Sequence, residues 1–435
     1  MLKAEDNEIL TRVSRGTPMG DLMRQFWIPF LIDSEVEPDG APVRVKLLGE
    51  SLLAFCNTEG KFGLIAENCA HRRASLFYGR NEGCGIRCIY HGWKYDIDGK
   101  CVDLPSEPAA SDFKSRVSIT AYPVRAHGGM LWTFMGPDPS SAVLPQFEWT
   151  GVPRENRYFS RWQQECNYAQ CVEGEIDSSH VSALHQVLHP KEEYHATSIW
   201  GSSMRNDTAP SWKVDETPYG VALGARRDAA GGTSLWRVNH FLMPFYTMIA
   251  PEIGRFINMR MWVPADDEHT WGIGVSYRPE TPLTAEDMYQ LGSGPLSPYI
   301  PLIPGTMRPI YNADNDYMID RQKQRTETYS GIPGTRAQDS AVIESAGAIA
   351  DRTLERLGTS DTAIIAMRRV AINAAKALRD EGTIPAATRD GSVYDIRSHS
   401  AIMPDGVDFD DDPEFLRRMK MDRRPRELAA TEPSR

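Results

Sequence analysis

Cys69 and His71 lie in one short segment of the sequence, and Cys88 and His91 lie in a second segment, with sixteen residues between the two. Two thiolates and two imidazoles can hold a tetrahedral zinc ion. They can also hold a [2Fe-2S] cluster in which one iron binds both thiolates and the other binds both imidazoles. Zinc fingers usually pair Cys with Cys and His with His, so one of each per segment favours the cluster.

The residues that follow His91 also suit a buried cluster. Gly92 lets the backbone approach closely, and Trp93 and Tyr95 can shield a cluster from water and so tune its reduction potential. On the residues alone, a zinc ion and a set of four unrelated core residues remain the alternatives.

A second group of possible metal ligands lies further along the chain. His180 and His185 are five positions apart, and Asp177 precedes His180 by three. On an ideal α-helix, residues i and i+5 point about 140° apart, so both imidazoles cannot face one metal ion. A π-bulge brings such residues onto one face, and we therefore predict a widened helical turn between the two histidines. Two histidines and one carboxylate are the ligands of non-haem Fe(II) sites that activate oxygen.

The carboxylate of such a site is expected far from the histidines in the sequence. Asp339 comes just before a predicted helix that starts near Ser340, a position from which its side chain can point into a cavity beside the helix N-terminus. His189 and His195 follow the two histidines closely, and the pattern alone does not separate ligands from neighbours. The other carboxylate candidates are Asp314, Asp316, Glu344, Asp351 and Asp361.

The composition is that of an ordinary folded protein, with 435 residues, 41% hydrophobic and 25% charged. This length predicts two or three domains. The net charge of −11 argues against general nucleic-acid binding, since no basic field neutralises phosphates. No run of about 18 apolar residues is present, so no membrane span is expected. An acidic N-terminus without a readable signal peptide predicts a cytoplasmic protein. The seven cysteines, an odd number, are interpreted as thiols or metal ligands rather than disulfides.

The elements that must position these residues follow from turn and periodicity signals. Short apolar runs predict an all-β module of about 100 residues, followed by a linker at 137–141. A longer region then combines strands and helices. Its last strand alternates from Ile257 to Val263, which predicts that one face is more buried than the other. Helices are predicted at 340–357 and 361–379, ended by Gly358 and Gly382. The clearest predicted strands are 43–48, 52–56, 62–66, 221–226, 236–242 and 256–263.

With both groups of residues in view, the chain resembles the large subunit of Rieske non-haem iron aromatic-ring-hydroxylating oxygenases. It is similar to the branch that contains phthalate 4,5-dioxygenase and phenoxybenzoate or chlorobenzoate dioxygenase. The resemblance covers most of the chain and rests on residues 69–91, the run from Asn167 to His185, Gln338 with Asp339, and residues 351–358.

The resemblance implies an α+β protein. An all-β Rieske [2Fe-2S] domain would precede a helix-grip (START-like) domain with an antiparallel sheet and covering helices. We expect an N-terminal arm at 1–40, the Rieske domain at 41–140, the mononuclear iron domain at 141–400 and a C-terminal tail at 401–435. The tail is first acidic and then basic, which predicts a solvated surface arm or a subunit contact.

The resemblance also assigns roles to the candidate residues. Asp177 would link the two metal centres across a subunit boundary, because in this family the two centres of one chain lie too far apart for electron transfer. The ligands would be Cys69 and Cys88 on one cluster iron, His71 and His91 on the other, and His180, His185 and Asp339 on a mononuclear Fe(II).

The same resemblance implies partners. An NADH-dependent flavin and [2Fe-2S] reductase would deliver electrons, and a homotrimer or stacked hexamer would bring the centres together. The expected reaction uses O2 to hydroxylate an aromatic carboxylate such as phthalate or a related benzoate. A Rieske monooxygenase or demethylase acting on an aromatic side chain uses the same ligands and is the alternative function. A zinc-stabilised ligand-binding module is the non-enzymatic alternative.

An anionic aromatic substrate requires a local cation in this acidic protein. Arginine is suited to that role because its planar fork binds a carboxylate through two hydrogen bonds. Arg205, Arg226 and Arg237 lie in the predicted strand region that should line the cavity, and they are the substrate-binding candidates.

Overall fold

The computed structural model describes residues 2–108, 110–188, 199–252, 255–292 and 301–421. The chain forms an N-terminal part built from short antiparallel strands and a larger C-terminal part in which helices cover one antiparallel sheet. The predicted α+β fold is therefore confirmed. None of the helices in the described ranges is long and apolar enough to cross a membrane.

Short antiparallel sheets form the N-terminal part. The predicted strands at 43–66 are confirmed as β2, β3 and β4. The first strand pairs with the last, with Trp27 opposite Phe134, so a segment of the predicted arm is built into this part. The elements are α1 (Ala4–Thr11), α2 (Pro18–Met23), β1 (Trp27–Ile32), β2 (Val43–Leu47), β3 (Glu50–Cys56), β4 (Phe62–Ala66), β5 (Arg80–Glu82), β6 (Gly85–Arg87), β7 (Lys94–Asp96), β8 (Cys101–Asp103), β9 (Ala121–Tyr122), β10 (Val124–His127) and β11 (Met130–Phe134).

Two loops of this part carry the Cys and His residues. The loop from β4 to β5 holds Cys69 and His71, and the tight turn from β6 to β7 holds Cys88 and His91. A separate core of apolar side chains packs beneath the two loops and holds them in position relative to each other. It includes Leu53, Phe55, Ile65, Leu76 and Ile86.

One large antiparallel sheet dominates the C-terminal part, with strands in the order β12-β18-β17-β16-β15-β14-β13 and β19 also paired with β15. Its elements are β12 (Arg157–Gln164), α3 (Tyr168–Ile176), α4 (Val181–Leu184), α5 (Ile199–Asn206), β13 (Ser211–Thr217), β14 (Gly220–Ala229), β15 (Thr233–Leu242), β16 (Tyr246–Ile249), β17 (Ile257–Pro264), β18 (Thr270–Tyr277), α6 (Ala285–Gly292), α7 (Arg321–Thr326), α8 (Thr335–Glu344), α9 (Thr362–Glu381), β19 (His399–Pro404) and α10 (Pro413–Arg418).

The predicted difference in burial between the two faces of β17 is confined to Asn258, the one residue of the strand that is half-buried. Arg260 and Trp262, on the same face as Asn258, are 2% and 0% exposed. Helices cover that face. The opposite face packs against β1 and against Trp149, whose indole donates to Met259 Sδ at 3.1 Å. A strand covered on both sides does not need to alternate strictly.

The two predicted long helices have different outcomes. α9 is confirmed and ends at Gly382, whose φ of +69° closes the helix in the left-handed conformation. The helix predicted at 340–357 is wrong, since α8 starts earlier and ends at Glu344. The Gln170 side chain donates to the carbonyls of Ile343 and Gly347 and accepts from the Ala350 amide, so it takes over backbone groups that a longer helix would use. Gly358 is consequently not a helix end.

The prediction of a solvated C-terminal arm is wrong for residues 401–421. β19 extends the sheet, and Phe409, Phe415 and Met419 are buried in a small core together with Trp236. Lys213 binds Asp408 at 2.9 Å and so holds the acidic segment on the sheet. The remainder of the predicted tail lies outside the described residues.

Candidate metal centres

The structure brings the four residues of the first group together. Cys69 and Cys88 are 1% and 2% exposed, whereas His71 is exposed and His91 half-buried. The two imidazole rings lie 4.4 Å apart, centroid to centroid, in an edge-to-face arrangement. The thiols thus lie inside the module and the imidazoles at its surface.

Gly92 and Trp93 shape the second loop as the sequence predicts. Gly92 has a φ of +78°, and a Cβ at this position would lie 2.6 Å from the Pro105 ring, so only glycine fits. The Trp93 indole stacks on the His71 imidazole at 4.4 Å with an angle of 8° between the rings, which covers that imidazole on one side.

Tyr95 contacts the sulfur of Cys69 directly. Its hydroxyl accepts a hydrogen bond from the Ala70 amide at 3.2 Å, so its own proton is available to Cys69 Sγ at 3.3 Å. Burial raises the pKa of Tyr95, which keeps that proton on the hydroxyl. A hydrogen bond to a cluster thiolate is one of the factors that set the reduction potential.

These contacts fit a Rieske cluster. Burial raises the pKa of the Cys88 thiol, so a thiolate at that position requires the positive charge of a metal. The buried Cys69 and Cys88 could bind one iron of the cluster, and His71 and His91, which lie nearer the surface, could bind the other. Such a cluster transfers one electron at a time.

The second group of residues also converges on one point. α3 ends at Asp177, and His180 and His185 flank the four-residue helix α4 as the residues before and after it. Their Nε2 atoms lie 3.3 Å apart. The π-bulge hypothesis is therefore wrong. The helix is interrupted after α3, and the single helical turn of α4 that follows brings the two imidazoles together.

Asp177 itself causes the break after α3. Its Oδ1 accepts from the Ser179 amide at 2.7 Å and its Oδ2 from the His180 amide at 3.3 Å. An aspartate that bonds to the backbone two and three residues later replaces the helical hydrogen bonds with a turn. The residue that we predict to relay electrons therefore also sets the position of His180.

Asp339 completes the site from α8. Its Oδ1 lies 3.1 Å from His185 Nε2 and 3.5 Å from His180 Nε2. Metal ligands at right angles with bonds of about 2.1 Å are about 3 Å apart, so the three atoms suit one metal ion. Two imidazoles and one carboxylate on one side of a metal are typical of oxygen-activating Fe(II) sites. Asp339 lies within the helix rather than just before it, because α8 begins at Thr335.

Two acceptors orient the imidazoles toward that point. His180 Nδ1 donates to Asp177 Oδ2 at 3.3 Å, and His185 Nδ1 donates to Gln338 Oε1 at 2.7 Å. Gln338 Nε2 in turn donates to the Ile332 carbonyl, which fixes the orientation of the amide. Each ring therefore presents the lone pair of Nε2 to the metal position. The contact of Gln338 with His185 could not be read from the sequence.

The charged side chains of the site shift one another's pKa values. Burial lowers the pKa of His180, but Asp177 and Asp339 outweigh burial and raise it to about 9. Burial raises the pKa of Asp339, but His185, His180 and Arg336 lower it far below its usual range. In the same way, burial opposes the hydrogen bonds from His180 and Ser179 that lower the pKa of Asp177. Both carboxyl groups are thus ionised, as metal binding requires.

Asp177, His180 and Asp339 line a cavity of about 290 Å³. Apolar side chains that include Val342, Ile343, Leu357 and Ile364 form much of its remaining wall. The Asp177 side chain is 26% exposed, so a group outside this chain can reach it.

The three substrate-binding candidates lie in different environments. Arg226 pairs with Trp236 across the sheet, on the face that the C-terminal segment covers, and forms ion pairs with Asp228 and Asp405. Arg205 lies on α5 and not on a strand, which corrects its predicted location, and is half-buried. Arg237 is buried, and its Nη1 donates to Ser178 Oγ at 2.9 Å, directly beside Asp177.

Arg227 is a buried cation near the site that the sequence did not suggest. It is 0% exposed and donates to the carbonyl of Ser178 at 2.5 Å and to its hydroxyl at 3.1 Å. Arg227 lies opposite Leu235, so it shares a face of the sheet with Arg237. The sequence did hold a signal for this: successive side chains of a strand point to opposite faces of the sheet, so Arg226 and Arg227 must lie on different faces.

Comparisons with known proteins agree with this arrangement. Residues 26–123 match the Rieske [2Fe-2S] domain family, and residues 133–418 match the LigXa C-terminal domain like family. The 3-chlorobenzoate-3,4-dioxygenase oxygenase subunit of Comamonas testosteroni is 37% identical over 431 residues, which cover 94% of this chain and 97% of that protein. The phthalate 4,5-dioxygenase oxygenase subunit of Pseudomonas putida is 37% identical over 429 residues, 94% of each chain.

Solved structures show the same fold. The terminal oxygenase of carbazole 1,9a-dioxygenase from Nocardioides aromaticivorans IC177 superposes with a TM-score of 0.55 at 18% identity. The superposition covers 86% of this chain and 98% of that chain. The agreement therefore extends over both parts of the molecule.

Proposed function

This chain belongs to the oxygenase subunits of the Rieske non-haem iron aromatic-ring dioxygenases, and we propose that its substrate is an aromatic carboxylate. Its cofactors are a Rieske [2Fe-2S] cluster and a mononuclear iron. We propose that the cluster is bound by Cys69, His71, Cys88 and His91. For the mononuclear iron we propose His180, His185 and Asp339. The observation that carries the substrate proposal is the buried Arg237 beside Asp177.

Arg237 supplies the cation that an anionic ring needs. Burial, with Arg227 nearby, lowers the pKa of Arg237 to about 9, which leaves the guanidinium charged at neutral pH. A cation in a dry environment attracts a carboxylate more strongly than the same cation at the surface. The two relatives described above act on a chlorobenzoate and a phthalate by name, and both of these ring substrates carry carboxylates.

When bound, the cluster supplies single electrons and the mononuclear iron activates O2. The chain's own residues hold and orient the ligands of these centres. Asp177 holds the Nδ1 proton of His180 through a hydrogen bond, and Gln338 does the same for His185. The exposed part of Asp177 would accept a second hydrogen bond from His91 of the partner subunit, so this carboxylate would bridge the two centres.

This role of Asp177 requires partners. We propose a homotrimer, alone or stacked as a hexamer, in which the cluster loops of one subunit contact Asp177 of the next. An NADH-dependent flavin and [2Fe-2S] reductase would supply the electrons. Exposed side chains around both surfaces support such contacts: Ile89 and Tyr90 beside His91, and Leu354 and Val342 near the Asp177 cavity.

Product analysis with ¹⁸O₂ separates the two reactions that these ligands support. A dioxygenase places two labelled oxygens on the product ring. A monooxygenase that acts on a side chain places one there, and in a demethylase the one labelled oxygen leaves with the released one-carbon fragment. We expect two labelled hydroxyl groups on a benzoate or phthalate. A single labelled oxygen would establish the alternative function and contradict the proposed dioxygenation.

Arg237→Met is expected to raise the KM for phthalate by about 10- to 100-fold, the effect of losing a charge-assisted hydrogen-bonded pair. The KM for a neutral ring of similar size should change much less. The measurement is steady-state oxygen consumption with both substrates, together with the iron content of the variant. Arg226→Met is the matched control, because its ion pairs lie on the other face of the sheet. Equal discrimination by wild type and Arg237→Met would contradict the assignment.

A further inference from the structure

Arg336 is a buried cation beside Asp339 that the proposed reaction does not use. It lies in the first turn of α8, and its side chain is 6% exposed. Its Nη1 lies 3.6 Å from Asp339 Oδ2, whereas the Nε2 atoms of His180 and His185 both lie near Oδ1. The two oxygens of one carboxylate therefore have different partners.

Groups outside the metal site fix the Arg336 guanidinium. Glu175, on α3, accepts from Arg336 Nη2 at 2.7 Å, and both side chains are buried. The rings of Trp162 and Trp262 lie 5.6 and 5.3 Å from the guanidinium carbon, within the range of cation–π contacts. The position of Arg336 is thus set by packing that does not depend on the metal ligands.

We propose that Arg336 is a positioning residue that selects which oxygen of Asp339 faces the metal. The guanidinium holds Oδ2, so Oδ1 alone binds, and the carboxylate acts as a ligand through one oxygen. Carboxylates without such a partner can bind a metal through both oxygens. One-oxygen binding leaves a further coordination position open for other ligands. This inference rests on the proposed assignment of Asp339 as an iron ligand.

Removing Arg336 alone takes away the shorter of the two ion pairs of Glu175 and leaves it only Arg260, whose Nε lies 3.8 Å from Glu175 Oε1, so the buried charges would be less well balanced. The double variant Glu175→Gln/Arg336→Met removes both charges. Glu175→Gln alone is the matched control, because it keeps Arg336 beside Asp339 and has the same change at α3. Arg336→Lys is a second variant, since an ammonium keeps the buried charge but lacks the planar fork of the guanidinium. Melting temperatures establish that each variant is folded.

The readout is X-ray absorption at the cobalt K-edge of the full-length protein, with its cluster intact and Co(II) in the mononuclear site. The cobalt edge does not overlap with the signal of the cluster iron. We expect the same distance from cobalt to the carboxyl carbon of Asp339 in wild type and Glu175→Gln. In the double variant and Arg336→Lys the second oxygen of Asp339 should replace a solvent oxygen, so this cobalt–carbon distance should become shorter.

The same cobalt–carbon distance in all four proteins would overturn the proposal and reduce Arg336 to a packing role. Loss of Co(II) from the folded double variant would also overturn it, because Arg336 would then place the whole carboxylate and not select one oxygen. Co(II) binding by wild type that persists in Asp339→Ala would refute the ligand assignment itself. That result identifies a failure of the proposed site, and the inference about Arg336 would fail with it.

Discussion

Asp177→Asn is expected to lower turnover by about 100-fold or more, with both metal centres still in place. The substitution keeps the shape of the side chain and leaves one oxygen to accept from the Ser179 amide, so the turn after α3 should survive. It removes the negative charge that holds the Nδ1 proton of His180 and that would hold His91 of the partner subunit. Electrons should then reach the cluster but not leave it.

Single-turnover measurements separate this effect from a defect in substrate binding. Reduced protein with substrate bound is mixed with O2, and oxidation of the cluster is followed by its absorbance. In wild type the cluster should oxidise during product formation, whereas in Asp177→Asn it should remain reduced. Asp361→Asn is the matched control, since Asp361 lines the same cavity and caps a backbone amide, that of Gly358. Normal cluster oxidation in Asp177→Asn would show that the carboxylate has no part in electron transfer.

Asp339→Ala is expected to abolish turnover by removing one iron per chain. Asp339 is the charged ligand of the proposed site, and the two imidazoles that remain are neutral when bound. Elemental analysis should fall from about three irons per chain to about two, while acid-labile sulfide stays at about two.

The control for this prediction is Asp351→Ala. Asp351 was a candidate carboxylate in the sequence, but its side chain bonds to Thr353 at an exposed position. It should keep about three irons and full activity. An Asp339→Ala protein that keeps all of its iron would place the third ligand elsewhere.

The sequence was a good guide to which residues the fold brings together as possible metal ligands. It was a poorer guide to the backbone that positions them. Cysteine and histidine are scarce and chemically specific, so their spacing was informative. The prediction of a π-bulge was wrong because it assumed that one continuous helix contains both His180 and His185. Asp177 breaks that helix through side-chain bonds to the backbone, and only the folded geometry reveals them.

Contacts between distant segments account for the other differences. The end of α8 depends on Gln170, a residue more than 170 positions away, which binds the backbone after Ile343. Which of Arg226 and Arg227 lies near the metal site depends on which face of the sheet the C-terminal segment covers. Periodicity gives two faces of a strand but does not say which one faces the site.

In the proposed assembly, electrons pass from the cluster of one subunit through Asp177 to the mononuclear iron of the next. Co-expression of two inactive variants, Cys88→Ser without a cluster and Asp339→Ala without the mononuclear iron, tests it directly. In a ring of subunits, random assembly of about equal amounts gives one productive interface for about a quarter of the chains. We therefore predict that the mixed protein recovers about a quarter of wild-type turnover. No recovery in mixed oligomers of confirmed composition would mean that electrons travel within one chain, and would rule out transfer between subunits.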